Sequence, residues 1–293
     1  MSCERETESL PSLLMQRAIV LCAGLFLTAP NHSPGQDVEK ISPGLRREFK
    51  LAGFYQQVVL LEGFPIVASG KVSPYALREA AWIVQSMLGK RPDLLRQLGK
   101  SKARLAVMGV SEVTLDVPEH SDLRPPERWN RSRGLGATWH RPAVSCAEEN
   151  MLCCPGDPYP TENILVHELA HAVHLMAINV LDKTFDRRLK AAYRGSLAEG
   201  RWKGTYAAGH YHEYWAEAVQ CWFNTNREND RIHNHVNTRE ELKKYDPEAA
   251  RFCEEVFGDN DWVYVRPDDA SRVGKGHLRG LDRSKLPKFE WRE

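Results

Sequence analysis

Residues 166–174 read VHELAHAVH, and two histidines four apart with a glutamate beside the first can act together only on a helix. There His167 and His171 are separated by about 400° of rotation and about 6 Å of rise, so both imidazoles leave one face and can meet one ion. Glu168 follows His167 directly, placed to reach a water on that ion and take its proton. This is the H-E-x-x-H arrangement, which implies one zinc per chain. The rival reading is a set of polar residues scattered over an amphipathic helix, and what lies further along the chain discriminates between the two.

His174 looks like a third ligand. It falls seven residues past His167, about 10 Å along the axis, too far for bonds near 2 Å to one ion on a straight helix. Packing in the core or against the ligands is the better expectation for it. The metzincin pattern fails too, because it needs a glycine three residues and a histidine six residues after the second histidine. Here those positions are His174 and Ala177. A glutamate from a second helix remains, and YHEYWAEAVQCWF (211–223) supplies it. Glu213 and Glu217 are four apart on one face, while Trp215, Ala218, Val219 and Trp222 form an apolar stripe on another. In so apolar a helix, at least one of the two glutamates needs a buried partner.

A second helix reading E-x-x-A-E some forty residues after H-E-x-x-H resembles the gluzincin metallopeptidases. Within them it is most similar to the catalytic domain of anthrax lethal factor and to the Pro-Pro endopeptidases. The resemblance implies Glu213 as the third zinc ligand and Glu217 as a support behind it. It also implies that a tyrosine seven residues before the ligand glutamate stabilises the tetrahedral intermediate, which here is Tyr206. The resemblance is specific over about 160–225. From about 134 to 265 the chain also resembles a group of secreted bacterial zincins carrying SC-x-EEN, HE-x-AH, YWAE and NTREEL segments. His210 and His212 have no assigned role, although either could stand in for Tyr206 as donor.

The remaining chain bounds this reading. With 293 residues, 40 basic and 39 acidic, nothing in the balance points to nucleic acid. Arg17 precedes an apolar run from Ala18 to Ala29 and then PNHSPGQ, the layout of a secretory leader and too short for a membrane span. The expected organisation is a signal peptide over 1–29, a linker over 30–45, a catalytic domain over 46–265 and a tail or surface strap over 266–293. Leader removal leaves Cys146, Cys153, Cys154, Cys221 and Cys253, with Cys146 and Cys153 the expected disulfide because one loop-like segment, SCAEENMLCC, holds both. Strands come first and helices from Thr161 onward, which predicts an α+β zincin-like domain: a small N-terminal mixed sheet, the active-site helix and a helical C-terminal subdomain. GLGATWHRP (134–142) is expected to be an extended edge segment where a peptide could lie, its glycines allowing close approach. His233 and His235 in RIHNHVN are expected at the surface. The function these features imply is a secreted zinc endopeptidase acting on a peptide or protein, without a membrane anchor once the leader is gone. The alternatives are a non-catalytic peptide- or cell-wall-binding module on the same fold, and a zinc amidase acting on a non-protein amide.

Overall fold

The first hairpin forms because QVVLL and FPIVA are β-branched and apolar, and the two residues between them accept left-handed backbone. Glu62 has φ 49° and Gly63 φ 83°, the primed turn that matches strand twist. The structure is a computed structural model that describes residues 37–258 and 260–292. The expected leader (1–29) lies outside the described residues. Within the stretch read as a linker, Glu39–Lys40 (β1) already pairs with the sheet.

The hairpin strands are β2 (Gln57–Leu61) and β3 (Phe64–Ala68); β4 (Arg104–Met108), β5 (Gly134–Leu135) and β6 (Ala143–Ala147) complete a six-stranded sheet ordered β1-β2-β3-β4-β6-β5. β3–β4 and β4–β6 are parallel, and the other three pairs are antiparallel. Every residue of β3, β4 and β6 is buried, because both faces of the sheet are covered. Alternation sorts them: Ile66, Leu105, Val107, Val144 and Cys146 face the main core, and Val67, Ala106, Met108 and Ala147 face a smaller one.

Helix α1 (Pro43–Phe49) contributes Phe49 to the smaller core. α2 (Pro74–Leu88), opened by Ser73 as N-cap and Pro74 at the first position, and α3 (Pro92–Lys100) pack into the main core. A short α4 (Pro126–Trp129) interrupts the proline-rich loop before β5. α5 (Glu148–Leu152) follows β6 directly, so the segment expected to be loop-like is strand and helix instead.

α6 (Ile164–Ala172) starts at the Asn163 N-cap and continues as π-helix over Val173–Ile178 before α7 (Asn179–Leu181). Ile164–Leu181 is long and apolar enough to cross a membrane, yet 67% of it is buried in this core, as befits a central helix. Beyond it come α8 (Phe185–Ala198), α9 (Tyr211–Trp222), α10 (Arg239–Tyr245) and α11 (Pro247–Phe257). The architecture is therefore α+β: a small mixed sheet with a helical C-terminal half.

The last segment is a strap. Arg272 and His277 both bind the buried Glu79 carboxylate of α2, at 2.7 and 2.6 Å, and Phe289 is buried against the body.

The cysteines correct the expectation of a bridge. Cys146, Cys153, Cys154, Cys221 and Cys253 are all buried free thiols. The reason is local: Cys146 points from β6 into the main core, whereas Cys153 sits at the left-handed C-cap of α5.

Candidate metal centre

α6 and α9 cross where their polar residues meet. Trp215 of α9 donates its indole N–H to the Ala170 carbonyl at 2.9 Å, in addition to the Val173 N–H that this carbonyl accepts within the helix. The π-helical turn begins directly beyond this point, the kind of widening an inserted side chain produces. The crossing brings His167 Nε2 within 3.1 Å of Glu213 Oε2 and 3.2 Å of His171 Nε2, with His171 Nε2 to Glu213 Oε2 at 3.4 Å. Tetrahedral zinc with bonds near 2.0–2.1 Å holds its ligand atoms about 3.3–3.4 Å apart. Three donors, two imidazole nitrogens and one carboxylate oxygen, thus converge at the spacing a zinc ion needs, and these residues could hold one. Glu168 also lies close: its carboxylate and the two imidazoles offer ligand atoms within 4.8 Å of one another.

The groups behind the donors are hydrogen-bonded in series. His167 Nδ1 meets Gln220 Oε1 at 2.8 Å and Glu217 Oε1 at 3.5 Å. Glu217 Oε2 in turn accepts from Asn226 Nδ2 at 3.0 Å and faces His233 Nε2 at 3.5 Å. His233 Nδ1 is 2.9 Å from Asp230 Oδ1. Glu217 is therefore behind His167, but Gln220 is its nearer partner. Sequence reasoning passed over Gln220, although it lies three residues past Glu217 and seven past Glu213 on the same helix face. His233 corrects the surface expectation: it is buried because the loop after α9 folds back over that helix, while His235 is exposed.

Charge follows this geometry. Burial pushes the Glu213 carboxyl up, but His167 and His171 overcome it and hold it well below the usual range. Burial likewise raises Glu217, and His167 and His233 bring it down to about 2. Glu168, which the histidines pull down less than burial lifts it, stays above the ordinary carboxyl value. The Tyr206 phenol is pushed up to about 12, by burial and then by the Glu213 charge.

Tyr206 sits on a 3₁₀ turn (Tyr206–Ala208), its backbone N–H bonded to the Ile232 carbonyl at 2.8 Å and its ring centroid 6.1 Å from that of His167. His174 is fully buried, its ring tilted or edge-on against those of Phe185, Tyr211, His212 and Trp215 and its Nε2 3.4 Å from Asp186 Oδ1, and burial holds it neutral with a pKa of about 3. Packing accounts for it. His210 caps α9 by accepting from the His212 N–H, and His212 lies with its ring 6.4 Å from that of His171.

β5 closes the site from above. A Cβ on Gly134 would lie 2.3 Å from Ile164 Cγ2, and one on Gly136 2.7 Å from His171 Cβ, so only glycine lets this strand approach α6. Its outer edge is unpaired among the described residues and borders a cleft of about 530 Å³ that holds His167, Glu168, His171, Tyr206 and Glu213. Beyond Leu135 the chain turns at Thr138–Arg141, so the edge strand is shorter than the 134–142 expected.

No protein-family model matches the sequence, and no curated protein matches it. Among solved structures the chain is similar to the Pro-Pro endopeptidase from Paenibacillus alvei, with 18% identity and a TM-score of 0.38, over 67% of this chain and 98% of that one.

Proposed function

We propose that the chain is an exported zinc-dependent endopeptidase, in which His167, His171 and Glu213 hold the metal, Glu168 is the general base and Tyr206 the oxyanion donor. The observation that carries this reading is the triangle of donor atoms with sides of 3.1, 3.2 and 3.4 Å at the floor of the cleft. Zinc held there supplies Lewis acidity toward the scissile carbonyl and toward water. Glu168 takes a proton from the attacking water and returns it to the departing amine. Tyr206, whose raised pKa keeps its proton at neutral pH, donates a hydrogen bond to the carbonyl oxygen as charge develops there. Gln220 and Glu217 fix the His167 ring so that its Nε2 stays aimed at the metal position. The substrate lies extended along the free edge of β5, which supplies backbone hydrogen bonds without selecting side chains. The apolar run Ala18–Ala29 after Arg17, read from the sequence as a leader over 1–29, supports export.

Full-length zinc-loaded protein assayed on a peptide library, beside Glu168→Gln, tests the reading. The expected result is cleavage by the wild type and a loss of about a thousandfold in the variant, with zinc retained in both. Equal rates would remove Glu168 as the base, and cleavage of no peptide by the wild type would overturn the endopeptidase reading.

A further inference from the structure

The segment LRPPERWNRSR (123–133), just before β5, holds four arginines and one acid, Glu127. Arg133 is spent internally: it is buried and binds Glu149, with one contact at 3.0 Å. The other three have no carboxylate partner among the described residues. Arg124 donates to the backbone carbonyls of Ser121 and Leu123, Arg131 lies over the Trp291 ring, and Arg128 lies over the Trp129 ring at 5.1 Å. Of these three, Arg128 borders the cleft, together with Trp129. The other arginine on the cleft beyond this segment, Arg227, is already paired with Glu162 at 2.9 Å. Arg128 is thus the cleft guanidinium left available to a ligand, on an aromatic seat that Trp129 keeps in place by donating its indole N–H to the Arg124 carbonyl at 2.9 Å.

Its position along the cleft follows from the strand. Gly134 abuts Ile164 and Glu168, and Gly136 abuts His171, so β5 and α6 run in the same direction. An extended peptide added antiparallel to β5, the more stable pairing, places its C-terminal half toward the residues preceding Gly134. Arg128 and Trp129 belong to that preceding segment and line the same cleft, which assigns them to the side of the departing amine.

We propose that Arg128, seated on Trp129, is a specificity subsite for a carboxylate in the C-terminal half of a peptide substrate, carried either by an acidic side chain or by the substrate's own C-terminus. The proposal rests on the endopeptidase reading for what happens to the peptide, but recognition can be measured without turnover. Because Arg128 is exposed, the effect expected is about three- to fivefold in Kd, shrinking as salt rises.

The test uses zinc-loaded full-length Glu168→Gln and fluorescein-labelled twelve-residue Ala/Gly/Ser peptides. These carry two Glu, two Gln or two Lys in the C-terminal half, or two Glu in the N-terminal half, each as free acid and as amide. C-terminal Glu peptides are expected to bind about three- to fivefold tighter than their Gln counterparts. Arg128→Ala should level the series and Arg128→Glu should shift it toward Lys, with zinc content unchanged. A Glu-over-Gln advantage kept in the amides assigns the carboxylate to a side chain, and a gain of free acid over amide shared by the Glu and Gln peptides and lost in Arg128→Ala assigns it to the C-terminus. Equal Kd values, an equal gain from N-terminal Glu, or a preference that survives Arg128→Glu would overturn the subsite. Wild-type cleavage indifferent to charge overturns the subsite alone. Charge-selective binding without cleavage overturns the endopeptidase reading alone, and no binding by any peptide overturns both.

Discussion

His167 is gripped from two sides, and the two partners behind it differ in quality. Gln220 Oε1 makes a short contact to Nδ1, whereas Glu217 stands further off and is itself shared with Asn226 and His233. Gln220→Ala should therefore lower zinc affinity by about 10- to 100-fold, and Glu217→Gln should do no more than this. Competition with a chelator measures both, and an unchanged affinity in Gln220→Ala would show that the contact does not orient the ring. The spacing of His167, Glu168 and His171 was legible because helical periodicity alone dictates which side chains share a face. Glu213 and Glu217 were legible as a pair for the same reason, whereas their separate expected roles came only from the resemblance. His233 was not legible: its approach to Glu217 depends on a loop path that no local pattern encodes.

Elements were readable wherever one period dominated. α2, with its Ser-Pro start, and the hairpin at Glu62–Gly63 follow from local rules of capping and turn chemistry. α5 was not readable, because EENML is short and polar at its start and forms only where tertiary contacts fix it. One such contact is Glu148, whose Oε1 accepts the Ser73 N–H at 2.9 Å and so ties α5 to the start of α2. Burial raises the Glu148 carboxyl from an ordinary 4.5 to about 7. Because its folded pKa is the higher one, the unfolded chain loses the proton first as pH rises. Folding stability therefore falls between about pH 4.5 and 7, by about 3 kcal/mol if Glu148 acted alone. Glu148→Gln keeps an acceptor for Ser73 and removes the titration. It should raise the melting temperature at pH 8 while leaving it nearly unchanged at pH 4, and thermal unfolding at the two values would show whether the gain is pH-dependent.

Across the whole molecule, the sheet is covered on both faces and the C-terminal strap is pinned at Glu79, and the five cysteines among the described residues are all buried free thiols. The expectation of a Cys146–Cys153 bridge relied on closeness in sequence, but a strand and a helix send the two thiols in different directions. Burial raises the Cys153 and Cys154 thiols to about 12, and Cys146, Cys221 and Cys253 are raised as well. All five should resist alkylation in the native protein and react on unfolding. Non-reducing peptide mapping that found Cys146 joined to Cys153 would contradict this arrangement.

The order of strands before helices conveyed the α+β class, but the crossing of α6 with α9 depends on packing over long sequence distances. That crossing is where the central claim rests, that three residues from two helices hold one zinc. The most direct measurement is zinc content per chain in full-length wild type, His167→Ala, His171→Ala and Glu213→Gln, after dialysis at limiting free zinc. One zinc per chain in the wild type and a sharp loss in all three variants is the predicted result. Undiminished zinc in the variants, or a site emptied by Glu217→Gln while Glu213→Gln retains its metal, would contradict it.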